Sequence, residues 1–500
     1  MAGMSYRENN GDNVNAGASG KDILTNYADN FHYLSYVTSD TALATKSISN
    51  LPSQSAYLAY FGRFIWSYDN RYQIQANFRA DASDTAKLPK ANRWGYFPSF
   101  SLGWTISNER FFKDNVDNHL FNFLKLRASW GRNGNINVLS GYRYTTSITP
   151  SGSWYQYHVD QIGSSYGSAP NLSGGLPNPN LHWEIAEQLD FGLDLRMFDN
   201  RLTSTIEYFN KQTKDLLFSV STPPELGATS TTINGGRVLN RGWEFELSWR
   251  DNIGDFSYGI SGNLSTLYNR VLELAARASR QTSDPASGTN YKVRTAFEPG
   301  YPVWYLLGYI YDGMDANGDP IIRDVNGDGE IASDDMTYIG QGTPKFTYGL
   351  NINLGYKGFD FTLHGAGIGG NVIMPVLHRT GFKNSMKAYL DGYKAGTMPN
   401  PSKTVAADTP FWSSTGNLFK GDYFRIKQMQ FGYTLPSKLT RKAAISNLRF
   451  YVSLDDMFTF TKYPGLDPET ASVNSGSGTG VDWGSYPTME KVILGINLTF

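Results

Sequence analysis

In RGWEFELSWR, residues 241–250, Trp243, Phe245, Leu247 and Trp249 alternate with Glu244, Glu246, Ser248 and Arg250. A period of two is that of a β-strand, whose successive side chains point to opposite faces, so one face of this strand is apolar and the other charged. KFTYGLNINLGY repeats the pattern, with Phe346, Tyr348, Leu350, Ile352, Leu354 and Tyr356 opposite Thr347, Gly349, Asn351, Asn353 and Gly355. Two further runs agree: Leu189, Phe191, Leu193 and Leu195 against Gln188, Asp190, Gly192 and Asp194, and Leu448, Phe450, Val452 and Leu454 against Arg449, Tyr451, Ser453 and Asp455. Strands of roughly 10 to 12 residues that end in Trp, Tyr or Phe match the span and aromatic girdles of outer-membrane strands. Strands of soluble sandwiches are nearer five or six.

The connections alternate as well. Short turns such as SYDNRY (67–72), MFDNR (197–201), DNIGD (251–255) and YKGF (356–359) join some strands, and tens of residues separate others. Outer-membrane barrels have this asymmetry, with tight periplasmic turns and long external loops. If the last strand, 491–500, ends in the periplasm, parity places 434–445, 357–358, 251–255, 197–201, 108–121 and 68–70 on that same side. It places 457–490, 369–421, 269–344, 213–238, 132–182, 82–95 and 9–55 outside, and leaves about 14 wall strands. Strand-like segments near 141–149 and 303–311 then belong to loops, and 269–344 reads as a structured external region. The terminal run KVILGINLTF alternates Val492, Leu494, Ile496 and Leu498 up to Phe500, which resembles the end signal of outer-membrane barrels. The expected fold is an all-β, antiparallel transmembrane β-barrel with long extracellular loops.

Composition fits this reading and removes others. Aromatics are 14% of the 500 residues, with 32 tyrosines and 51 glycines, a mixture suited to strands and tight turns. Lys plus Arg number 44 against 45 Asp plus Glu, so nothing in the net charge draws the chain to nucleic acid. Cysteine is absent, which excludes disulfides and thiolate chemistry. The start, MAGMSYRENNGDN, lacks the pattern of a signal peptide, so the chain is expected to be internal to the cell or a piece of a longer protein.

Several long stretches carry a family likeness. YFGRFIWSYDNRYQIQANFRADAS, NRWGYFPSFSLGWTISNERFF, LKLRASWGRNGN, PNPNLHWEIAEQLDFGLDLRMFDNRLTSTIEYFNKQTKDLLF and FTYGLNINLGYKGFDFTL resemble, in order, the carboxy-terminal barrel of SusC/RagA-type TonB-linked outer-membrane transporters of Bacteroidetes. The resemblance implies a 22-stranded barrel with an amino-terminal plug, a TonB-contacting segment, and a SusD-like surface lipoprotein as lid. It also implies import of glycans, oligosaccharides or peptides, driven through TonB with ExbB and ExbD, across a Gram-negative outer membrane. Against that pattern, residues 1–500 are expected to be a carboxy-terminal fragment without plug, TonB box or signal peptide.

Candidate chemistry is sparse. DVNGDGEIASDD places Asp324, Asn326, Asp328, Glu330 and Asp335 at the spacing of a calcium loop, with Gly329 at its sharp turn. The same residues make an Asx-rich surface turn without any metal, and Asp stands at position 12 where a calcium loop has Glu. A calcium ion here would be structural, and no other cofactor is required. GAGIGG (365–370) has the G-x-G-x-x-G form but lacks a following helix, so strand-exit glycines are the simpler reading. Glu244 and Glu246 share a face, as lumen-lining carboxylates would, and no catalytic residues are assigned. Trp154, Tyr155 and Tyr157 in GSWYQYH are candidates to stack on sugar rings. The alternative to a transporter is a soluble or surface β-rich carbohydrate-binding protein with calcium loops, in which the faces of Trp243 and Phe346 would be buried between two sheets. An enzyme acting on glycans would need two carboxylates about 5 to 10 Å apart in a cleft.

Overall fold

The computed structural model describes all residues except 20–44, 118, 146–147, 151–169, 173–174, 227, 229, 276–279, 284–292, 377–390, 393, 397, 400–409, 442–443 and 472–475. Among the described residues, fourteen wall strands form one antiparallel sheet in strict chain order. They are β1 (Ala2–Ser19), β2 (Thr45–Tyr68), β3 (Tyr72–Asp84), β4 (Trp94–Thr105), β5 (Phe121–Asn135), β6 (Glu184–Met197) and β7 (Leu202–Lys214). The wall continues with β8 (Gly236–Ile253), β9 (Phe256–Thr266), β10 (Phe346–Tyr356), β11 (Phe359–Gly369), β12 (Tyr423–Thr434), β13 (Asn447–Thr461) and β14 (Lys491–Thr499). A further strand, Tyr268–Leu274, extends β9 and pairs with the upper part of β8. No described helix is long and apolar enough to cross a membrane, so any crossing is made by strands.

Register turns the sequence alternation into two continuous faces. Ile206, Phe245, Leu264 and Tyr348 stand opposite one another across β7 to β10, and Glu207, Glu244, Ser265 and Thr347 form the adjacent column. A slip of one residue would exchange the two sets, so burial of either face in the wrong medium fixes the pairing. On the apolar face Phe64, Phe191, Leu247 and Phe359 are all more than half exposed. An apolar patch running across fourteen strands far exceeds the few hundred Å² found on soluble monomers. Trp243 and Phe346 are 48% and 39% exposed, which excludes the two-sheet core that the soluble alternative required.

Aromatic pairs border this face. Near the short turns lie Trp66 with Tyr68, Phe198 with Trp249 and Phe359 with Tyr433, the last at 4.4 Å between centroids. At the other border lie Tyr60 with Trp94, Tyr208 with Trp243 at 5.1 Å and Tyr348 with Phe424. The glycines of GAGIGG belong to this border: a Cβ on Gly365 or Gly369 would run into the rings of Phe424 and Phe346, and one on Gly367 into Tyr348 and the backbone of Tyr423. Glycine therefore gives the rings a flat surface to lie on, as in aromatic rescue of strand glycines, and the nucleotide-loop form is incidental.

The short turns sit where parity put them, with Asp69 and Asn70 both at positive φ in the β2–β3 hairpin, as tight primed turns demand. Pairing of β1 with β2 runs out to Ser19 and Thr45, so part of the expected 9–55 loop is strand. The segments near 141–149 and 303–311 stay outside the wall, the latter containing a short strand, Tyr305–Gly308. The packed hydrophobic core lies in the extracellular loops. Val293 and Leu306 pack with Met374, Val376, Phe411, Trp412 and Val481. The 269–344 region thus shares its core with two other loops rather than closing one alone.

Two neighbouring residues test the face assignment. Leu247→Arg puts a cation on the lipid side and should cost about 2–4 kcal/mol, whereas Glu246→Arg on the inner side should change stability by about 0.5 kcal/mol or less. Equilibrium unfolding of the vesicle-inserted protein measures both, and equal costs would refute the assignment.

Candidate functional site

Polar strand positions converge on the inner face and satisfy one another. The Arg127 guanidinium donates to Asp194 at 2.9 Å and to Glu207 at 3.0 Å, bridging β5, β6 and β7. Asp190 accepts from Ser129 and Gln188, Lys125 donates to Gln73 at 2.9 Å, and Arg449 donates to Asp360 and Gln430. Glu244 accepts from Ser265 at 3.3 Å and lies in this same polar field, opposite Glu207. Mixed charges on a water-filled inner wall are tolerated without any demand for catalysis.

Toward the extracellular end the inner wall forms a recess of about 650 Å³ lined by Arg7, Tyr57, Arg79, Asp81, Asn133 and Trp183 among others. Its back is built by two glycines, Gly95 on β4 and Gly134 on β5, because a side chain at either would displace Phe97. Phe97 is thereby buried edge to face against Trp183 at 5.4 Å, and the indole N–H of Trp183 donates to the Arg93 carbonyl. Arg79 Nε reaches the Asp81 carboxylate at 2.8 Å, and Arg7 Nε donates to Asn9. Tyr57 is 41% exposed and presents a ring to the open side. Ring faces beside guanidinium, carboxylate and amide groups suit a polar ligand with apolar faces, such as a sugar or a peptide.

Across the mouth, the loop after β13 is tied to the wall. Arg425, only 3% exposed, donates to Asp467 and Glu469 at 2.6 Å each and to Thr459 at 2.8 Å. Burial pushes the Asp467 carboxyl up, but the Thr488 amide and the Arg425 guanidinium outweigh it and hold the group below the ordinary aspartate range. Removing either charge would strand the other in a desolvated place, so the loop is fixed rather than free.

Trp154, Tyr155 and Tyr157 lie outside the described residues. The 324–335 loop belongs to the extracellular cap. Asp324 accepts from the amides of Gly327 and Gly329 at 2.6 and 2.8 Å, and the Asn326 side chain donates to Asp328 and Asp334. Fully buried Asp335 accepts from the amides of Val325, Asn326 and Ala332. The Ala332 amide foremost, with those of Val325 and Asn326, holds the Asp335 carboxyl below its usual range despite burial. Glu330 is exposed, its own amide donating to Asp328. No group of three or more acidic or histidine side chains among the described residues converges as a metal set would. The upstream DANGD run is a hairpin turn in which Asp315 accepts from the amides of Asn317 and Asp319. Sequence reasoning missed Tyr57, Arg79 and Trp183, because only register brings β1 to β5 and the start of β6 together around one recess.

The family profile described as "TonB dependent receptor-like, beta-barrel" matches residues 2–453. The chain belongs to this TonB-dependent receptor β-barrel family. Its members are outer-membrane receptors and transporters rather than enzymes. TonB-dependent receptor P3 of Formosa agariphila is 30% identical over the whole of this chain and half of its own length. TonB-dependent receptor SusC of Bacteroides thetaiotaomicron is 28% identical, over 90% of this chain and 45% of its own. The fold of the RagAB peptide transporter superposes with a TM-score of 0.80 at 24% identity, over the whole of this chain and 53% of that one. The chain thus spans about half the length of these relatives.

Loop order should depend on Asp335. Asp335→Ala takes the acceptor from three loop amides at once and should open the 324–335 loop to protease while the wall strands stay folded. In the native protein the contribution of this lowered carboxyl is full above the ordinary aspartate value of about 3.9 and is lost as the pH falls through its folded value, so opening is expected only in acid. Limited proteolysis across pH reads both, and an Asp335→Ala loop as resistant as the native one would contradict the assignment.

Proposed function

We propose that this chain is the barrel-bearing part of a TonB-dependent importer in a Gram-negative, Bacteroidetes-like outer membrane, taking up oligosaccharides, other glycans or peptides. The observation that carries the proposal is the two-faced wall: a lipid-facing apolar side with aromatic borders, and an inner side with a polar recess, joined to extracellular loops that pack a hydrophobic core of their own. The SusC and RagAB likenesses support a partner of the SusD type at that cap, acting as a lid. In this reading the plug and the segment that engages TonB, with ExbB and ExbD behind it, come from the additional half of the length that the relatives possess. Tyr57 would pack against an apolar face of the cargo while Arg79 and Asp81 meet its polar groups.

A second reading concerns the cap. The D-x-N-x-D-G spacing from Asp324 to Gly329 favours a structural calcium ion, and a chelator that raised protease cleavage of 269–344 would support it.

Uptake of labelled oligosaccharide and peptide pools by cells carrying the whole protein tests the main proposal. Uptake should stop when TonB is deleted and when the proton-motive force is collapsed. Tyr57→Ala with Arg79→Ala should lower uptake at limiting cargo by roughly thirtyfold, from one ring contact and one charged hydrogen bond of about 1 kcal/mol each. Uptake of both pools independent of TonB would overturn it.

A further inference from the structure

On the lipid-facing side of β8, beyond the aromatic border, two arginines meet on one tyrosine. Arg241 lies over the Tyr268 ring at 4.7 Å from its centroid and Arg270 at 5.3 Å. Arg241 is directly opposite Tyr268, and Arg270 is diagonal to it, opposite Leu239. All three are exposed. Neither guanidinium has a carboxylate partner among the described residues, and the carboxylate at hand, Glu273, is taken by Arg237 at 3.1 Å. Two like charges held about one ring with no counter-ion among the described residues repel each other, and a shared anion would relieve that repulsion.

Height identifies the anion. Arg241 shares its face with Trp243, which packs on Tyr208 in the upper aromatic border. Counted from the end of β8 at Ile253, a rise of about 3.3 Å per residue and a tilt near 40° put Arg241 roughly 30 Å above the periplasmic turn. The apolar band of such barrels is about 25 Å tall, so the pair stands just past its extracellular edge, where outer-leaflet headgroups lie. The patch is continuous with the lipid-facing surface below it and separated by the wall from the inner recess.

We propose that Arg241, Arg270 and Tyr268 bind the phosphate of a phosphorylated glycolipid of the outer leaflet. The guanidinium groups supply charged donors to the phosphate oxygens, Tyr268 holds the two forks apart, and Trp243 meets the acyl chains beneath. The inference rests on the outer-membrane reading of the wall.

The test uses the whole protein extracted from outer membranes in mild detergent, with binding of monophosphoryl lipid A and of its phosphate-free counterpart followed by native mass spectrometry. The phosphorylated lipid should bind about twenty-five-fold more tightly, each guanidinium near a phosphate surface being worth about fivefold. Arg241→Gln with Arg270→Gln should abolish that preference, with heat-modifiable gel migration showing that the barrel is folded. If the double variant does not fold, Arg270→Gln alone, on the extension beyond β9, should lower the preference about fivefold. Equal binding of the two lipids by the native protein, or a preference that survives in the folded variants, would overturn the proposal. Absence of the protein from the outer-membrane fraction would overturn the membrane reading as well, and is told apart by fractionation before any lipid is added.

Discussion

The wall is governed by one constraint: hydrocarbon offers no hydrogen-bond partner, so every backbone N–H and C=O crossing it must be bonded inside the sheet. Among the described residues, fourteen strands in chain order, each antiparallel to the next, meet that demand by pairing with their neighbours in sequence. The same demand falls on the outward backbone groups of β1 and β14, the two edges of the described sheet. Once pairing is fixed, register is fixed too, because Phe245 and Glu246 cannot exchange places without putting a carboxylate in lipid. Column after column, from Ile206 through Tyr348 on one side and from Glu207 through Thr347 on the other, follows from that single choice.

A consequence is that the chain is inside out below and conventional above. Within the wall, side chains such as Arg127, Asp194 and Glu207 face inward and neutralise one another, while Leu247 and Phe359 face outward. Above it, Leu306, Met374, Phe411 and Val481 are nearly inaccessible and close an ordinary hydrophobic core from three separate loops. The buried Arg425 with Asp467 and Glu469 joins the two regimes, fastening a loop to the inner wall through charges that water no longer screens. On the proposed reading, a packed cap and a polar inner wall are what an importer would need of its barrel: an ordered entrance and a surface wet enough for polar cargo to pass.

Much of this was legible in the chain. Alternation in RGWEFELSWR and KFTYGLNINLGY gave the faces, and the contrast between YKGF and the long gaps gave the sides of the membrane. What alternation cannot carry is which distant strands share a recess, so Tyr57, Arg79 and Trp183 became visible only when β1 to β6 were laid side by side. Motif spacing was a weaker guide still. GAGIGG proved to be a seat for Phe424, Tyr348 and Phe346, and DANGD a hairpin turn, because glycine and Asx residues serve close approach and tight turns as readily as ligands. In DVNGDGEIASDD the acidic residues bond first to amides of their own loop.

The central claim is that odd and even positions of one strand meet different solvents. The chain has no cysteine, so a nitroxide can be attached at single introduced cysteines from 243 to 248 without competing sites. Accessibility to molecular oxygen, which concentrates in lipid, is then compared with accessibility to a water-soluble nickel chelate for the protein in outer-membrane vesicles. The account predicts that 243, 245 and 247 favour oxygen while 244, 246 and 248 favour the chelate. Uniform accessibility along the six positions, or the opposite alternation, would contradict it.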